Sequence, residues 1–283
     1  MSLMMIVMIF MFIPAAQVSA NRINEVLGTK ISIKSGTQTQ GSEIGTIEFQ
    51  DVSFRYPGAA SDTLSHISFR AQRGQTVAFI GATGCGKTTL VDLAARIYDA
   101  TSGRILLDGV DIRDYSFDAL YNKLGYVMQK ATLFSGSVDE NVNFGESSAV
   151  HSEEHTWEAL TLAKASEFVE KMPGKLEEPI ARALARKPEI LIFDDSFSAL
   201  DYKTDAQLRA GLEAELKGTT KLIVGQRIGT IRNADTIIVL DHGRIVGMGT
   251  HQQLLKDCPV YHEIARSQLS AQELGEEGGA IHG

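Results

Sequence analysis

Cysteine is scarce in this chain. Cys85 and Cys258 are the only two among its 283 residues, and they stand far apart with no metal-type spacing. A disulfide scaffold or a zinc site needs more cysteines or closer ones, so both are excluded and a reducing compartment is favoured. At this length the chain can bury a substantial core in one large or two ordinary domains.

Clusters of basic residues are also lacking. The chain has 27 Lys and Arg residues against 35 Asp and Glu residues, which gives a net charge of −8. Proteins that bind nucleic acid present a basic patch or stripe to the phosphate backbone. No nucleic-acid partner is therefore expected, and an anionic ligand would need a local site.

The N-terminal apolar run is too short to span a bilayer by itself. Residues 1–14, "MSLMMIVMIFMFIP", fall short of the roughly 20 residues that a spanning helix needs. With the following "AAQVSA" the run resembles a signal peptide, but the basic n-region is missing. The truncated end of a membrane helix is the other interpretation. Residues 15–45 then read as a helix exit, "NRINEVLG", and a polar linker, "KSGTQTQGSEIG".

The remainder of the chain alternates between strand and helix patterns. Strands are predicted at "TIEFQDVSF", "LSHISFRA", "QTVAFI", "RILLDG", "LGYVMQ", "EILIFDD", "TKLIVG" and "DTIIVLD". Helices are predicted near 87–96, 153–171, 201–216 and 260–268. This alternation predicts an α/β domain over residues 46–270, with a parallel sheet and an antiparallel β portion at its N-terminal side. The tail, residues 271–283, has too little apolar content to pack and is predicted to be disordered.

A glycine-rich stretch follows one of the buried strands. "FIGATGCGKTTL" contains G-x-x-x-x-G-K-T between the strand "QTVAFI" and an amphipathic helix, which is the context that a phosphate loop requires. Gly81, Gly84 and Gly86 allow the tight turn that aims backbone N–H groups inward, and the helix N-terminus adds its positive dipole end. Lys87 is expected to contact the β- and γ-phosphates, and Thr88 to ligate Mg²⁺.

Two adjacent aspartates end the apolar run in "ILIFDDSFSALD". Side chains of neighbouring residues on an extended chain point to opposite sides, so Asp194 and Asp195 are expected to have separate partners. A strand stop followed by a helix cap, with Ser196 or Ser198 capping, is the alternative. The phosphate loop favours Asp194 as the Mg²⁺ carboxylate and Asp195 as the base that polarises the attacking water.

Five stretches in order carry a family resemblance. They are "FRYPG", "GATGCGKTT", "GYVMQKATLFSGSVDENVNFG", "ARALARKPEILIFDDSFSALD" and "QRIGTIRNADTIIVLDHGRIVGMGTHQQLL". The chain resembles, over nearly all of residues 1–270, the nucleotide-binding domain of an ATP-binding cassette exporter that fuses a membrane domain to its ATPase. The resemblance implies a P-loop NTPase (RecA-like) core and makes residues 1–14 the remnant of the last transmembrane helix.

The resemblance also implies partners and a location. They are Mg-ATP, a transmembrane domain of its own or fused to it, and a second nucleotide-binding subunit. ATP hydrolysis would drive the export of a small molecule of multidrug type. The nucleotide-binding domain would lie on the cytoplasmic side of the cell membrane.

Individual roles follow from the same resemblance. Tyr56 matches the aromatic residue that stacks on adenine, although a tyrosine packed in the core at a strand end is the alternative. The other nucleotide-binding residues would be Gly81, Ala82, Thr83, Gly84, Cys85, Gly86, Lys87, Thr88 and Thr89. Mg²⁺ would be bound by Thr88, Gln129 and Asp194. The catalytic residues would be Asp195, Gln226 and Gln129. The segment from Ser198 to Asp201 would touch the site of the partner subunit.

Three departures from the family pattern weaken the expected chemistry. Most members have Glu where this chain has Asp195, and the missing methylene retracts the carboxylate by about 1 Å, which can cost ~10²-fold in rate. The switch histidine of the family falls on Gln226, whose neutral amide offers no imidazolium charge. The signature segment that should precede "ARALARKPEILIFDD" does not appear in the sequence: either it is deleted, which predicts a truncated α-helical subdomain, or it is missing from the recorded sequence.

These departures leave two function classes. The first is an ATPase whose hydrolysis powers transport, here the degenerate-site half of a heterodimeric exporter. The second is a regulatory module that holds ATP and dimerises but hardly hydrolyses it.

Overall fold

The computed structural model describes residues 2–130, 137–144, 153–163, 188–198, 208–212, 214 and 216–269. The chain divides into two compact units, residues 1–34 and 35–283. The tail that the sequence predicts to be disordered and most of the region expected to hold the α-helical subdomain lie outside the described residues.

The first unit contains one helix, α1, Ser2–Leu27. It joins the apolar run and the "NRINEVLG" segment into a single element, with Pro14 in its interior, where proline removes one backbone hydrogen bond. The Gly28 N–H donates to the Asn24 carbonyl at 2.8 Å and closes the last turn. Among the described residues, the helices are not both long and apolar enough to cross a membrane.

The second unit is built from strands and helices that alternate along most of its length. Its strands are β1 Ile47–Phe54, β2 Leu64–Ala71, β3 Thr76–Gly81, β4 Ser102–Leu107, β5 Val110–Asp111, β6 Leu124–Val127, β7 Ile190–Asp194, β8 Thr220–Val224, β9 Thr236–Asp241 and β10 Arg244–Gly249. Its helices are α2 Lys87–Ala94, α3 Phe117–Lys123, α4 Val138–Val142, α5 Glu153–Leu162, α6 Ile228–Ile231, α7 His251–Asp257 and α8 Pro259–Arg266. Residues 208–212 are helical as well.

A six-stranded sheet in the order β10-β9-β3-β8-β7-β6 forms the centre of this unit. The pairs β3–β8, β3–β9, β7–β8 and β6–β7 are parallel, while β10 is antiparallel to β9. Every residue of β7 and β8 is buried. Strands covered on both faces read as continuous apolar runs in the sequence, and this sheet confirms the predicted parallel α/β core.

A second sheet is wholly antiparallel and has the order β2-β1-β4-β5. Its buried side packs apolar residues from neighbouring strands, and the rings of Phe49 and Phe69 stack with centroids 4.6 Å apart. The predicted antiparallel portion is thereby confirmed. The strand predicted at "RILLDG" is β4 and belongs to this antiparallel sheet. Its sheet could not be predicted, because a short strand pattern does not reveal which strand it pairs with.

The helices show where periodicity is and is not informative. The patterns near 87–96 and 260–268 correspond to α2 and α8, and the pattern at 153–171 begins with α5. The short helices α3 and α7 were not expected from apolar periodicity. Capping residues mark their N-termini instead. Ser116 accepts from the Ala119 N–H at the start of α3, and Thr250 forms a capping box with Gln253 at the start of α7.

A buried charged cluster connects the polar segment before β1 to both sheets. Asp108, in the turn between β4 and β5, is fully buried and accepts hydrogen bonds from the Gly45 N–H at 2.7 Å and from Lys123 Nζ at 2.8 Å. Lys123 also contacts Glu189, next to β7, at 2.8 Å. The backbone N–H groups of Ser42 and Glu43 donate to the Asp108 carbonyl. Part of the segment expected to be a linker is therefore fixed against the domain.

Candidate functional site

The phosphate loop lies between β3 and α2, as its sequence context predicts. Gly86 caps α2 with φ of 101°, in the region that favours glycine, and a Cβ there would lie 2.7 Å from Leu64 Cδ2. At Gly81 a Cβ would lie 2.1 Å from the Leu240 carbonyl oxygen of the neighbouring strand β9. Backbone conformation and close packing both require glycine at these two ends of the loop.

Lys87 points back into the loop. Its ammonium group donates to the carbonyl oxygens of Gly81 and Ala82, each at 2.9 Å, and lies 3.7 Å from Cys85 Sγ. The Lys87 side chain and the Cys85 thiol are buried, whereas the tip of the loop, Ala82 to Gly84, is exposed. The loop thus holds a cation at its centre with an open face, which is the arrangement that a bound phosphate group needs.

Asp194 lies at the carboxyl end of β7 and meets the first turn of α2. Thr88 Oγ1 donates to Asp194 Oδ1 at 3.1 Å, so two of the residues predicted to bind Mg²⁺ are in contact. Burial raises the pKa of Asp194, and the negative charges of Asp92 and Asp195 add to this rise, while the bond from Thr88 opposes it. Because burial destabilises the charged form of this carboxylate, a nearby cation would stabilise it.

Asp195 turns away from the strand. Its φ of 50° places it in the left-handed region, so the expectation that Asp195 continues an extended chain was wrong. Aspartate is among the residues that tolerate this conformation, which is often found at functional sites. The two carboxylates have separate partners, as expected, but a turn separates them rather than strand alternation.

Two glutamines converge on one oxygen of Asp195. Gln226 Nε2 donates to Asp195 Oδ2 at 2.6 Å, and Gln129 Nε2 donates to the same oxygen at 3.3 Å. Burial raises the pKa of Asp195, and the hydrogen bond from Gln226, followed by weaker contributions from Ser198, Lys87 and Gln129, counteracts this rise. The structure therefore brings together the three predicted catalytic residues, which lie far apart in the sequence.

Tyr56 lies in an aromatic cluster just after β1. Its ring meets Phe54 edge-on at 4.8 Å and Tyr98 at 5.3 Å between centroids, and its hydroxyl lies 3.0 Å from Thr89 Oγ1 of α2. The side chain is half-buried. These contacts fit the core-packing alternative, and they also place the ring next to the phosphate-loop helix. Its stacking on adenine stays a prediction.

Asp92 and Tyr126 belong to the site but were not singled out from the sequence. Tyr126 Oη donates to Asp92 Oδ1 at 2.9 Å. Burial raises the pKa of Asp92, and the bond from Tyr126 opposes the rise. Asp92 follows Thr88 by four residues, and this spacing puts both on one face of α2. That spacing was the signal available in the sequence.

Some of the predicted features cannot be placed. Residues 199–201 of the segment expected to touch a partner subunit lie outside the described part of the chain, and so does the region before "KPEILIFDD" where the family signature is expected. Ser198 itself is described, and its hydroxyl donates to the Asp195 carbonyl at 2.7 Å. This bond stabilises the turn after β7, whereas the residues that Ser196 or Ser198 would cap lie outside the described part of the chain.

Fold and site together define a phosphate-loop nucleotide-binding domain. The parallel sheet carries the loop at the end of β3, and the end of β7, two strands away, supplies the carboxylates. Residues 64–198 match the family model described as ABC transporter. The chain belongs to this family and carries its ATP-binding domain, and ATP-binding domains of this kind are ATPases. The resemblance read from the sequence is confirmed.

Curated relatives and a solved structure agree with this assignment. The chain is 39% identical over 297 residues to an uncharacterized ABC transporter ATP-binding protein of Mycobacterium bovis, covering 98% of this chain and 51% of that protein. It is 37% identical to a probable multidrug resistance ABC transporter ATP-binding/permease protein of Bacillus subtilis, covering 89% of this chain and 40% of that protein. The structure of a bacterial Atm1-family ABC exporter with ATP bound matches with a TM-score of 0.81 at 29% identity, covering 94% of this chain and 50% of that one.

The chain therefore spans about half the length, or less, of the relatives that it matches.

Proposed function

We propose that this chain is the ATP-binding part of a membrane exporter and that it holds Mg-ATP at a catalytically weakened site. The names of the Bacillus subtilis relative and of the Atm1-family structure support an exporter, and the former supports a multidrug-type cargo. In this proposal residues 1–14 end the last transmembrane helix and residues 46–270 form the nucleotide-binding domain. The domain lies on the cytoplasmic side of the cell membrane and works with a transmembrane domain.

The residues at the end of β7 and the start of α2 fit Mg²⁺. The Thr88 hydroxyl and the Asp194 carboxylate are hard oxygen donors already 3.1 Å apart, and oxygen ligands are those that Mg²⁺ prefers. Gln129 is within reach of the neighbouring carboxylate of Asp195. When bound, the ion would neutralise charge on the β- and γ-phosphates. The residues of the chain itself position the nucleotide and the attacking water.

The observation that carries the weakened site is the 2.6 Å hydrogen bond from Gln226 to Asp195. The carboxylate oxygen that accepts it also accepts from Gln129, so fewer lone pairs remain for the attacking water. Both amides stabilise the charged form of Asp195 and thereby offset part of the rise in its pKa that burial causes. In addition, a neutral amide cannot place a positive charge on a phosphate, as an imidazolium can.

A second candidate function is a regulatory module that holds ATP with little or no hydrolysis. The same hydrogen bond favours it, because the site keeps every element for binding phosphate while its catalytic carboxylate is engaged by amides. In both cases we propose a second nucleotide-binding subunit as partner, which would supply the more active site of a heterodimer. The two candidates differ in the rate of hydrolysis alone.

Calorimetric titration with Mg-ATP tests the binding part of this proposal. We expect a Kd between about 1 μM and 1 mM for the chain, and loss of detectable binding in Lys87→Ala. The matched control is Lys217→Ala, which removes an exposed lysine in the turn before β8 and should bind like the original chain. Equal affinity in Lys87→Ala and Lys217→Ala would refute nucleotide binding at the phosphate loop.

A metal-dependence cycle tests the Mg²⁺ assignment. Replacing Mg²⁺ by a chelator should weaken ATP binding to the original chain, and it should weaken binding to Asp194→Asn much less, because the variant has already lost the ion's carboxylate ligand. An undiminished metal effect in Asp194→Asn would contradict the assignment.

A further inference from the structure

The side chain of Gln268, just beyond α8, bridges two backbone groups of the loop after β8. Its Oε1 accepts from the Ile228 N–H at 2.8 Å, and its Nε2 donates to the Gln226 carbonyl at 2.9 Å. A primary amide offers one acceptor and donors in a fixed plane, so these two bonds set both the position and the orientation of the segment that they hold.

The segment held in this way is the one that presents Gln226 to Asp195. The Gln226 side chain is exposed, so packing does not fix its direction. Its 2.6 Å bond to Asp195 Oδ2 depends on where its own backbone lies. Gln268 holds that backbone on both sides of Arg227. It is therefore linked to Asp195 through Gln226, whose backbone carbonyl accepts from Gln268 and whose side chain donates to Asp195.

Gln268 is itself firmly attached to the core. Its N–H donates to the Ala265 carbonyl at 3.0 Å, and Ala265 and Tyr261 of α8 are fully buried. The Tyr261 hydroxyl lies 2.7 Å from His251 Nδ1 of α7. Leu269, the next residue, packs against the apolar core beneath the main sheet. The backbone of Gln268 is thus held in place although the residue is exposed, which limits the entropy lost when its amide forms both bonds.

We propose that Gln268 is a positioning residue for the Gln226–Asp195 pair. It holds the backbone of the loop after β8 so that the Gln226 amide reaches the carboxylate next to the Mg²⁺ site. The role deepens the proposed function and rests on it, since positioning matters for chemistry only if ATP binds at this site. The geometric part of the proposal does not depend on ATP binding: removing the Gln268 amide displaces Gln226 from Asp195.

The side-chain amide resonance of Gln226 measures this directly in the full chain. With ¹⁵N-glutamine labelling, the signal is assigned by its absence in Gln226→Ala. A bond of 2.6 Å to a carboxylate should shift it away from the position of free glutamine. In Gln268→Ala we expect the signal to move back toward the free position. The matched control is Gln253→Ala, which removes another amide of the C-terminal helices, one that caps α7.

An isosteric variant keeps the test valid if Gln268→Ala perturbs folding. Gln268→Glu retains the acceptor for the Ile228 N–H but at neutral pH has no donor for the Gln226 carbonyl, so the Gln226 signal should move in the same direction. An unmoved Gln226 signal in both Gln268 variants, or an equal shift in Gln253→Ala, would overturn the inference.

Mg-ATP affinity measured on the same samples separates the two proposals. Failure of the original chain to bind Mg-ATP would overturn the proposed function, whereas a static Gln226 signal in a chain that binds Mg-ATP would overturn only the role of Gln268. If turnover is detectable, Gln268→Ala should raise kcat severalfold at unchanged KM, because moving the Gln226 amide off Asp195 frees the carboxylate oxygen for the attacking water.

Discussion

Asp195 Oδ2 accepts a hydrogen bond of 2.6 Å from Gln226 Nε2, and Gln129 Nε2 approaches the same oxygen at 3.3 Å. Two neutral amides from different loops therefore occupy the carboxylate that is expected to act as the base. Asp194, one residue earlier, contacts Thr88 instead. The pair thus divides into a carboxylate facing the phosphate loop and one engaged by amides, and this division underlies the proposal of nucleotide binding with weak hydrolysis.

Restoring the residues typical of the family at Asp195 and Gln226 together should strengthen catalysis. Asp195→Glu extends the carboxylate by about 1 Å toward the water, and Gln226→His supplies a group that can carry positive charge. We expect the double variant to raise ATP turnover by about tenfold or more over the original chain, at similar Mg-ATP affinity. Turnover is measured by phosphate release, with Lys87→Ala added to the double variant as the background. An unchanged rate would mean that another feature limits hydrolysis.

The role of Tyr56 can be tested with a ligand that lacks the base. Aromatic stacking contributes about 0.5–1.5 kcal/mol, so Tyr56→Ala should weaken Mg-ATP binding by about threefold to tenfold. Binding of Mg-triphosphate, which has no adenine, should be unaffected. Tyr56→Phe keeps the ring and removes only the contact with Thr89, so it should retain ATP affinity. Equal losses for ATP and triphosphate would show that Tyr56 acts through α2 packing.

The buried cluster around Asp108 should be important for stability. Asp108→Ala leaves Lys123 and the Gly45 N–H without this partner in a buried site, and breaking a buried pair costs about 3–5 kcal/mol. The matched control is Asp62→Ala, which removes the exposed ion pair with Arg55 and should cost less than about 1 kcal/mol. Urea unfolding of both variants measures the difference. Similar costs would contradict the structural role of Asp108.

Stability in the absence of Mg²⁺ should depend on the protonation of Asp194. Because burial raises its pKa in the folded chain, the folded state binds more protons than the unfolded state between 3.8, the usual value, and the raised pKa. The free energy of unfolding therefore falls as pH rises through this window. Asp194→Asn removes this contribution, so its stability relative to the original chain should increase with pH over the same window. A flat or decreasing difference would contradict the prediction.

Local context explains what the sequence could predict. The phosphate loop depends on residues that are neighbours along the chain, and the spacing of Gly81, Gly86 and Lys87 survives in the structure with the conformations that glycine permits. The buried strands β7 and β8 were recognisable because both their faces are apolar. The prediction that Asp194 lies at the ligand site followed from a general rule: ligands bind at the carboxyl ends of parallel strands.

Contacts between distant segments explain what it could not. Gln129, Asp195 and Gln226 come from three separate loops, and no local pattern indicates that two amides meet one oxygen. The positive φ of Asp195 depends on the turn after β7, which the Ser198 bond stabilises. The bridge made by Gln268 likewise depends on how α8 packs beneath the sheet.

The most direct test of the account is the chemical state of the nucleotide that the chain retains. After incubation with Mg-ATP, bound nucleotide is separated and identified, and phosphate release is followed in the same sample. We predict that the chain retains ATP with negligible turnover and that Lys87→Ala retains no nucleotide. Robust steady-state turnover that Lys87→Ala abolishes would contradict the account, because it would show that Asp195 and Gln226 suffice for hydrolysis.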